Sequence, residues 1–168
     1  MNEFKDGWYL IYTRPRHEKK VYHHLAGKNI NSFLPTRKVL RTWHDRKKYI
    51  DEPLFPSYVF IYINDVRNYY EGMEAEGALY YVRDGKKIAR VGDNIVDSIK
   101  LVSENAKELE VSELRFQPGR RLVISQGSLT GLECEVVQIN NKHKLLVRVE
   151  LLQRSILVTL PVESLMAV

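Results

Sequence analysis

The stretch EPLFPSYVFIYI, residues 52–63, decides how the sequence is interpreted. Its second half, Tyr58–Ile63, is an apolar and aromatic run with β-branched residues, which is typical of a buried strand. Pro53 and Pro56 cannot donate a hydrogen bond to a neighbouring strand, so they are expected before the strand or at its first residues. The stretch therefore predicts a strand whose start is stiffened by two prolines.

The segments around this strand alternate between strand and helix patterns. A buried strand is predicted over 8–13, an amphipathic helix over 16–26, and a hairpin with Asp45 near its tip. Two more helical segments follow the central strand, and an Asp84-Gly85 turn signal lies between them. The order of these elements predicts an α+β domain over residues 1–105.

The composition changes after this domain. Residues 106–115 are charged, lack a long apolar period and are interpreted as a linker. Residues 116–168 contain five short strand patterns, the last of them VESLMA, which predicts a small SH3-like β-barrel. Within it, LECEVV alternates apolar residues with Glu133 and Glu135, which predicts that Cys134 is a buried core thiol.

Length and composition are those of a folded, water-soluble protein. The chain has 168 residues, of which 44% are hydrophobic and 28% charged, and no apolar run reaches membrane-spanning length. The first residues lack the apolar core of a signal peptide, so a cytoplasmic location is expected. A single cysteine excludes an intrachain disulfide and a four-cysteine zinc site.

Positive charge is concentrated in the first part of the chain. Residues 1–50 hold 12 Lys/Arg and 4 Asp/Glu, whereas the remainder has a net negative charge, within a total of +5. An excess of this size indicates a binding partner that is a polyanion. For a charge run alone, a solvated charged surface is the favoured interpretation, and both interpretations stay open.

The sequence lacks the common motifs of catalysis and cofactor binding. There is no GxGxxG, P-loop, HExxH or GxSxG pattern. His23 and His24 are adjacent on a predicted helix and point in different directions, so with His17 they do not form a metal site. The chain is therefore predicted to be no enzyme, and to need no cofactor or metal.

Several motifs, in order, resemble one family. WYLIYTRPRHEKKVYHHL, FLPT, EPLFPSYVFIYI and YYVRDGKKIARV are similar to the N-terminal domain of NusG-type transcription elongation factors, and QPGRRLVISQGSLTGLECEVVQI resembles their C-terminal KOW motif. EPLFPSYVF and the short second half are more similar to the specialised paralogs RfaH, LoaP and the UpxY-type antiterminators. The loop QGSLTG departs from the family's usual Gly-Pro-Phe-like sequence. The resemblance implies an N-terminal domain with a central antiparallel sheet and flanking helices, followed by a KOW barrel.

The resemblance also implies a surface that binds the clamp helices of RNA polymerase. By position it would include Tyr12 in WYLIY, Tyr58 in FPSY and Tyr81 in YYVRDG. Phe55 is placed with them, although core packing is the favoured role for its ring. Tyrosine suits such a surface because it combines a large stiff apolar body with a polar tip.

The predicted helix over 16–26 gains a role from the same resemblance. Arg14, Lys20 and His24 match basic positions that face DNA in RfaH-like members, and Arg16, His17 and Lys19 extend the patch. The implied ligand is the exposed non-template DNA strand or nascent RNA. The predicted hairpin carries a second group of cations, namely Arg41, Arg46, Lys47 and Lys48.

Together these features imply a transcription elongation and antitermination factor that suppresses pausing and termination, specific to certain operons. A ribosomal protein or nascent RNA is the implied partner of the KOW domain. Two alternatives stay open: a housekeeping NusG, and a translation-related KOW protein that binds RNA without polymerase.

Overall fold

A computed structural model of the chain describes residues 5–106, 108–125 and 127–159. The chain forms two compact units, Met1–Asp93 and Asn94–Val168, named here the N-terminal and C-terminal units. The sequence places the boundary at residue 105. The strand predicted over VESLMA, 162–167, lies outside the described residues.

The N-terminal unit is built on an antiparallel sheet with β1 at its centre. Its elements in chain order are β1 (Gly7–Thr13), α1 (Glu18–Gly27), β2 (Ser32–Phe33), β3 (Thr36–Thr42), β4 (Lys47–Pro53), β5 (Tyr58–Ile63), α2 (Val66–Glu74), β6 (Ala78–Tyr81), β7 (Arg83–Asp84), β8 (Lys87–Ile88) and β9 (Arg90–Val91). The sheet order is β2-β5-β1-β6, and β9 also pairs with β1. The predicted α+β architecture with a central antiparallel sheet is confirmed.

One face of this sheet packs against α1 and α2. Tyr9 and Ile11 from β1 join Ile61 from β5 and the α1 residues Val21 and Leu25 in one buried cluster. Val21 and Leu25 are four positions apart, so they lie on the same side of the helix and bury it against the sheet. The spacing of the apolar residues in α1 thus determines which face of the helix is exposed to solvent.

The helix ends follow local backbone chemistry. α1 begins at Glu18, two residues later than predicted, because Arg16 has a left-handed backbone with φ 65°. That conformation cannot continue an α-helix. α2 begins at Val66, and the Asp65 side chain just before it accepts a hydrogen bond of 2.7 Å from the backbone N–H of Asn68.

The C-terminal unit contains a five-stranded antiparallel sheet. Its elements are α3 (Asp93–Asn105), which begins at the boundary, β10 (Leu109–Ser112), β11 (Arg120–Val123), β12 (Glu133–Ile139), β13 (Lys142–Val149), the 3₁₀ turn Glu150–Leu152 and β14 (Arg154–Thr159). The order is β10-β14-β13-β12-β11. The predicted strands over 120–159 are observed, and closure into a KOW-type barrel stays a prediction.

The prediction that residues 106–115 form a linker is wrong for Leu109–Ser112, which form the strand β10. Leu109 to Ser112 pair with Val158 to Ser155 of β14, so they supply the fifth strand of this sheet. Leu109 and Val111 are half-buried and the alternate residue Glu110 is exposed. Two apolar residues at strand spacing were too short a signal among the surrounding charges.

A buried ion pair joins the middle strands of the C-terminal sheet. Glu135 is 7% exposed, although it follows the buried Cys134 directly along β12. Arg148 on β13 donates to it from Nε at 2.7 Å, and its Nη2 also donates to the carbonyl of Phe116 at 2.7 Å. The N–H of Gly119 donates to the same carboxylate at 3.0 Å. The pair therefore ties residues 116–119 to β12 and β13.

These contacts change the proton affinity of the carboxylate. Burial alone would raise the pKa of Glu135, but the hydrogen bonds from Arg148 and Gly119, with the charges of Arg148 and Arg121, together lower it below its usual value. Cys134, beside it, is buried as predicted. Burial raises the pKa of that thiol to about 11, which makes it unreactive at neutral pH.

Candidate functional site

Three tyrosines lie side by side at one end of the N-terminal sheet. Tyr12 on β1 is directly opposite Tyr58 on β5 and Tyr80 on β6. The ring centroids of Tyr12 and Tyr58 are 5.4 Å apart, edge to face, and those of Tyr12 and Tyr80 are 5.0 Å apart, stacked. These three residues are called the tyrosine cluster below.

The tyrosine cluster is open to solvent. Tyr80 is 54% exposed, and Tyr12 and Tyr58 are half-buried against their neighbours. Aromatic pairs at these distances stabilise one another beyond their simple burial. The rings are thus held in place in the free protein, as residues that anchor a protein interface usually are.

Tyr81 does not belong to this surface, and its predicted role is corrected. It is 3% exposed, its ring stacks on Tyr69, and its hydroxyl donates to the backbone carbonyl of Tyr69 at 2.6 Å. Burial raises the pKa of Tyr81. Successive strand residues point to opposite faces, so the neighbouring Tyr80 takes the exposed place. The adjacent tyrosines in YYVRDG could not be told apart without the register to β1.

Phe55 is also buried, which corrects its predicted place on the docking surface. It is 1% exposed, and its ring centroid lies 6.5 Å from that of Phe60 on β5. Its contribution is to pack the start of β5. The core role that the sequence favoured for this ring is the one that the burial supports.

The segment Phe55-Pro56-Ser57-Tyr58 forms a tight turn that presents Tyr58. The N–H of Tyr58 donates to the carbonyl of Phe55 at 3.2 Å, and Ser57 has φ 70°. Proline at the second position and a positive φ at the third are the marks of a type II turn. Serine is strained in that conformation, where glycine or asparagine is usual, so other contacts must hold the turn.

Those contacts come from β1 and α1. The Glu18 carboxylate accepts a hydrogen bond of 2.9 Å from the N–H of Ser57, and the N–H of Thr13 donates to the carbonyl of Ser57 at 2.8 Å. Glu18 is 5% exposed. A carboxylate in the first turn of a helix is also favoured by the helix dipole. Sequence reasoning missed Glu18, because nothing local connects it to the FPSY turn.

Arg14 and Arg16 lie next to the tyrosine cluster. The N–H of Arg14 donates to the carbonyl of Gly77 at 2.8 Å, close before Tyr80 in the chain. Both arginine side chains are exposed, and within the described residues neither forms an ion pair. They are therefore available to an anionic ligand.

The other predicted basic residues are less available. Lys20 pairs with Glu76 at 3.3 Å, and His24 Nε2 lies 3.7 Å from Glu71 Oε2. His17 sits before α1 with its Nδ1 3.0 Å from the carbonyl of Pro15. Lys19 of α1 is exposed, and no ion pair is described for it.

His17 has a packing role in this corner. Gly77 has φ 96°, and a Cβ there would lie 2.4 Å from the Cβ of His17. The close approach explains why glycine occupies this position. His17 thus helps to hold the Gly77 segment against the start of α1.

Across the described ranges no three His, Cys, Asp or Glu side chains are grouped so that they could hold a metal ion. Nor does any helix in those ranges have the length and apolarity needed to cross a membrane.

Comparison with known proteins gives consistent matches. The NusG family model, described as transcription termination factor nusG, matches residues 6–100, which include the whole tyrosine cluster. The transcription termination/antitermination protein NusG of Lactococcus lactis subsp. lactis (strain IL1403) is 24% identical over 172 residues, covering 90% of this chain and 88% of that protein.

Two solved structures also match this chain over most of its length. The structure described as domain interaction in Thermotoga maritima NusG has 22% identity and a TM-score of 0.48, and the match covers 92% of this chain and 94% of that one. The MjSpt4:Spt5 complex in conformation A has 8% identity and a TM-score of 0.29, with coverage of 82% and 83%.

Proposed function

This chain belongs to the NusG family of transcription termination and antitermination factors, and from that membership we propose that it docks on RNA polymerase through the tyrosine cluster. The proposed target is the pair of clamp helices, and the proposed effect is to suppress pausing and termination. The observation that carries the proposal is the exposed, mutually packed arrangement of Tyr12, Tyr58 and Tyr80.

The physical case for docking rests on surface chemistry. Tyrosine is enriched at the centre of protein interfaces, where its ring is buried by the partner and its hydroxyl finds a hydrogen bond. The FPSY turn, which is held by Glu18, fixes the position of Tyr58 in the cluster. The tyrosine side chains therefore lose little conformational freedom on binding. A helical partner would cover the rings.

Arg14 and Arg16 extend the proposal to nucleic acid. They adjoin the tyrosine cluster and are exposed without a described ion pair. A factor seated on polymerase by the cluster would present both guanidinium groups to phosphates of the displaced non-template strand or of nascent RNA. Lys20 and His24 are weaker candidates, because Glu76 and Glu71 lie next to them.

The operon-specific part of the proposal is supported by sequence resemblance. EPLFPSYVF is similar to the matching stretch of the specialised paralogs, and such factors are recruited by an element in an operon leader. Mapping the protein along the genome during transcription should show it on a few operons. Occupancy on most transcribed genes would instead indicate a housekeeping role.

Loss of a tyrosine ring should weaken polymerase binding without unfolding the protein. We expect Tyr80→Ala and Tyr58→Ala each to raise the Kd for isolated clamp helices by roughly 5- to 150-fold, which corresponds to about 1–3 kcal/mol for an interface anchor. Tyr80→Ala is the sharper variant because its ring is more than half exposed. Affinity and thermal melting are measured together.

A matched control is available on α2. Tyr70 is 61% exposed and lies outside the cluster, so Tyr70→Ala should leave the affinity unchanged. Equal affinities for wild type, Tyr80→Ala and Tyr70→Ala would remove the docking role from the cluster.

A further inference from the structure

The β3–β4 hairpin forms a ribbon separate from the main sheet. Within the part of the chain that the structure describes, these strands pair only with each other. The base of the ribbon is anchored, because the N–H of Leu54 donates to the carbonyl of Pro35 at 2.7 Å and Leu54 and Phe55 are buried. The side chains of 40–49 are all exposed. The ribbon is thus a rooted, solvent-exposed element.

Charge is distributed unevenly along the ribbon. Residues 37–48 carry six cations and one acid, Asp45. The other acids, Asp51 and Glu52, lie at the base, where Glu52 pairs with Arg41. The outer part of the ribbon therefore offers positive charge that the chain itself does not neutralise.

An exposed tryptophan, Trp43, lies among these cations at the tip of the ribbon. At the tip the N–H of Trp43 donates to the carbonyl of Arg46 at 2.8 Å, and the Arg46 guanidinium carbon lies 5.8 Å from the Trp43 ring centroid. Trp43 is 45% exposed. The next cross-strand pair on the same face is Arg41 and Lys48. One face of the ribbon tip thus combines a large exposed ring with Arg46 and Lys48, next to the ion-paired Arg41.

We propose that this face binds single-stranded nucleic acid, with an unpaired base stacked on Trp43 and phosphates on Arg46 and Lys48. Stacking platforms bordered by cations are how proteins bind single strands without reading sequence. Every base has a flat face, but in a duplex that face is covered by its neighbours, so the ring selects unpaired strands. Charge and stacking do not require a 2′-hydroxyl, so DNA and RNA strands both fit.

An acidic peptide is the main competing ligand. It would satisfy Arg46 and Lys48 but would leave the Trp43 ring without a flat partner. The exposed ring therefore favours nucleic acid. This inference does not depend on docking to polymerase, since it concerns a different element and is tested with no polymerase present.

Tryptophan fluorescence provides a direct test. The chain has two tryptophans, and Trp8 is 5% exposed, so changes in emission on ligand binding report on Trp43. The full chain is titrated with oligothymidylate, with oligouridylate, with a DNA duplex of equal length and with oligoglutamate. We expect both single strands to quench the emission, and the duplex and the peptide to do so far less.

Variants separate stacking from charge. Trp43→Ala should weaken binding of labelled oligothymidylate by at least fivefold, taking about 1 kcal/mol as the lower bound for one stacked base. Trp43→Phe, which keeps a ring, should retain most of the affinity. Lys48→Ala should reduce the slope of log affinity against log salt by about 0.7. Leu40→Ala, on the other face of the ribbon, is the control and should bind as wild type.

The proposal is overturned if Trp43→Ala binds oligothymidylate as tightly as Leu40→Ala does. It is also overturned if the duplex or oligoglutamate binds as tightly as the single strands. Thermal melting of each variant shows whether the fold is intact, and Trp43→Phe tests the ring even if the alanine variant is unstable.

Discussion

Replacing Arg148 with alanine is expected to destabilise the C-terminal unit by about 3 kcal/mol. The substitution leaves the Glu135 carboxylate buried without its cation and removes the donor to the Phe116 carbonyl. Breaking a buried pair typically costs about 3–5 kcal/mol, and the lower end applies because the Arg148 side chain is 25% exposed. Amide hydrogen exchange of β12 and β13 in the full chain measures the effect.

Lys144 supplies the matched control on the same strand. It pairs with Glu110 at 3.1 Å, but that carboxylate is 54% exposed, so Lys144→Ala should change exchange much less than Arg148→Ala. Similar protection in the two variants would show that the buried pair contributes no more than a surface one.

The same pair should make the C-terminal unit sensitive to acid. The folded pKa of Glu135 is lowered, so its stabilising contribution is present above the unfolded value of about 4.3 and is lost as pH falls through the folded pKa. Glu135→Gln should flatten this part of the stability profile. An unchanged profile in that variant would assign the acid sensitivity to other carboxylates.

Replacing Glu18 with alanine should have the second-largest effect, about 2 kcal/mol on the N-terminal unit. The substitution leaves the buried N–H of Ser57 without its acceptor, in a turn that is already strained at φ 70°. Because this turn presents Tyr58, affinity for the clamp helices should also fall although all three tyrosines remain. Denaturant unfolding and binding are measured on the same variant.

Glu18→Gln separates the hydrogen bond from other effects. Glutamine keeps a carbonyl oxygen at nearly the same place, so it can still accept from Ser57 and should retain most of the stability and binding. If Glu18→Ala loses stability but binds as wild type, the turn is structural only. If both variants behave as wild type, the hydrogen bond from Ser57 to Glu18 is not needed to hold the turn.

Much of the N-terminal unit could be predicted from neighbours in the chain. β-branched and aromatic runs indicated β1 and β5, and helical spacing indicated α1 and α2. Each of these signals depends on residues within a few positions of one another. Tyr12 and Tyr58, identified through resemblance, do lie together, because their strands are directly paired.

The composition of the tyrosine cluster required the tertiary structure. Whether Tyr80 or Tyr81 faces solvent depends on the register of β6 against β1, which shifts between Tyr12 and Thr13. A shift of one residue reverses every side chain, and no local pattern in YYVRDG reveals it.

The sequence by itself determined the helices and strands of the N-terminal unit, its family and its excess of positive charge. The tertiary structure decided which charges stay free and which residues support the site. Glu76 faces Lys20, Glu71 faces His24, and Glu18 holds the FPSY turn. These partners are distant in the chain, so secondary-structure propensities do not encode them. They meet because α1, α2 and the strands pack on one core. That packing determines which charged side chains are paired at the surface and which turn is held in place.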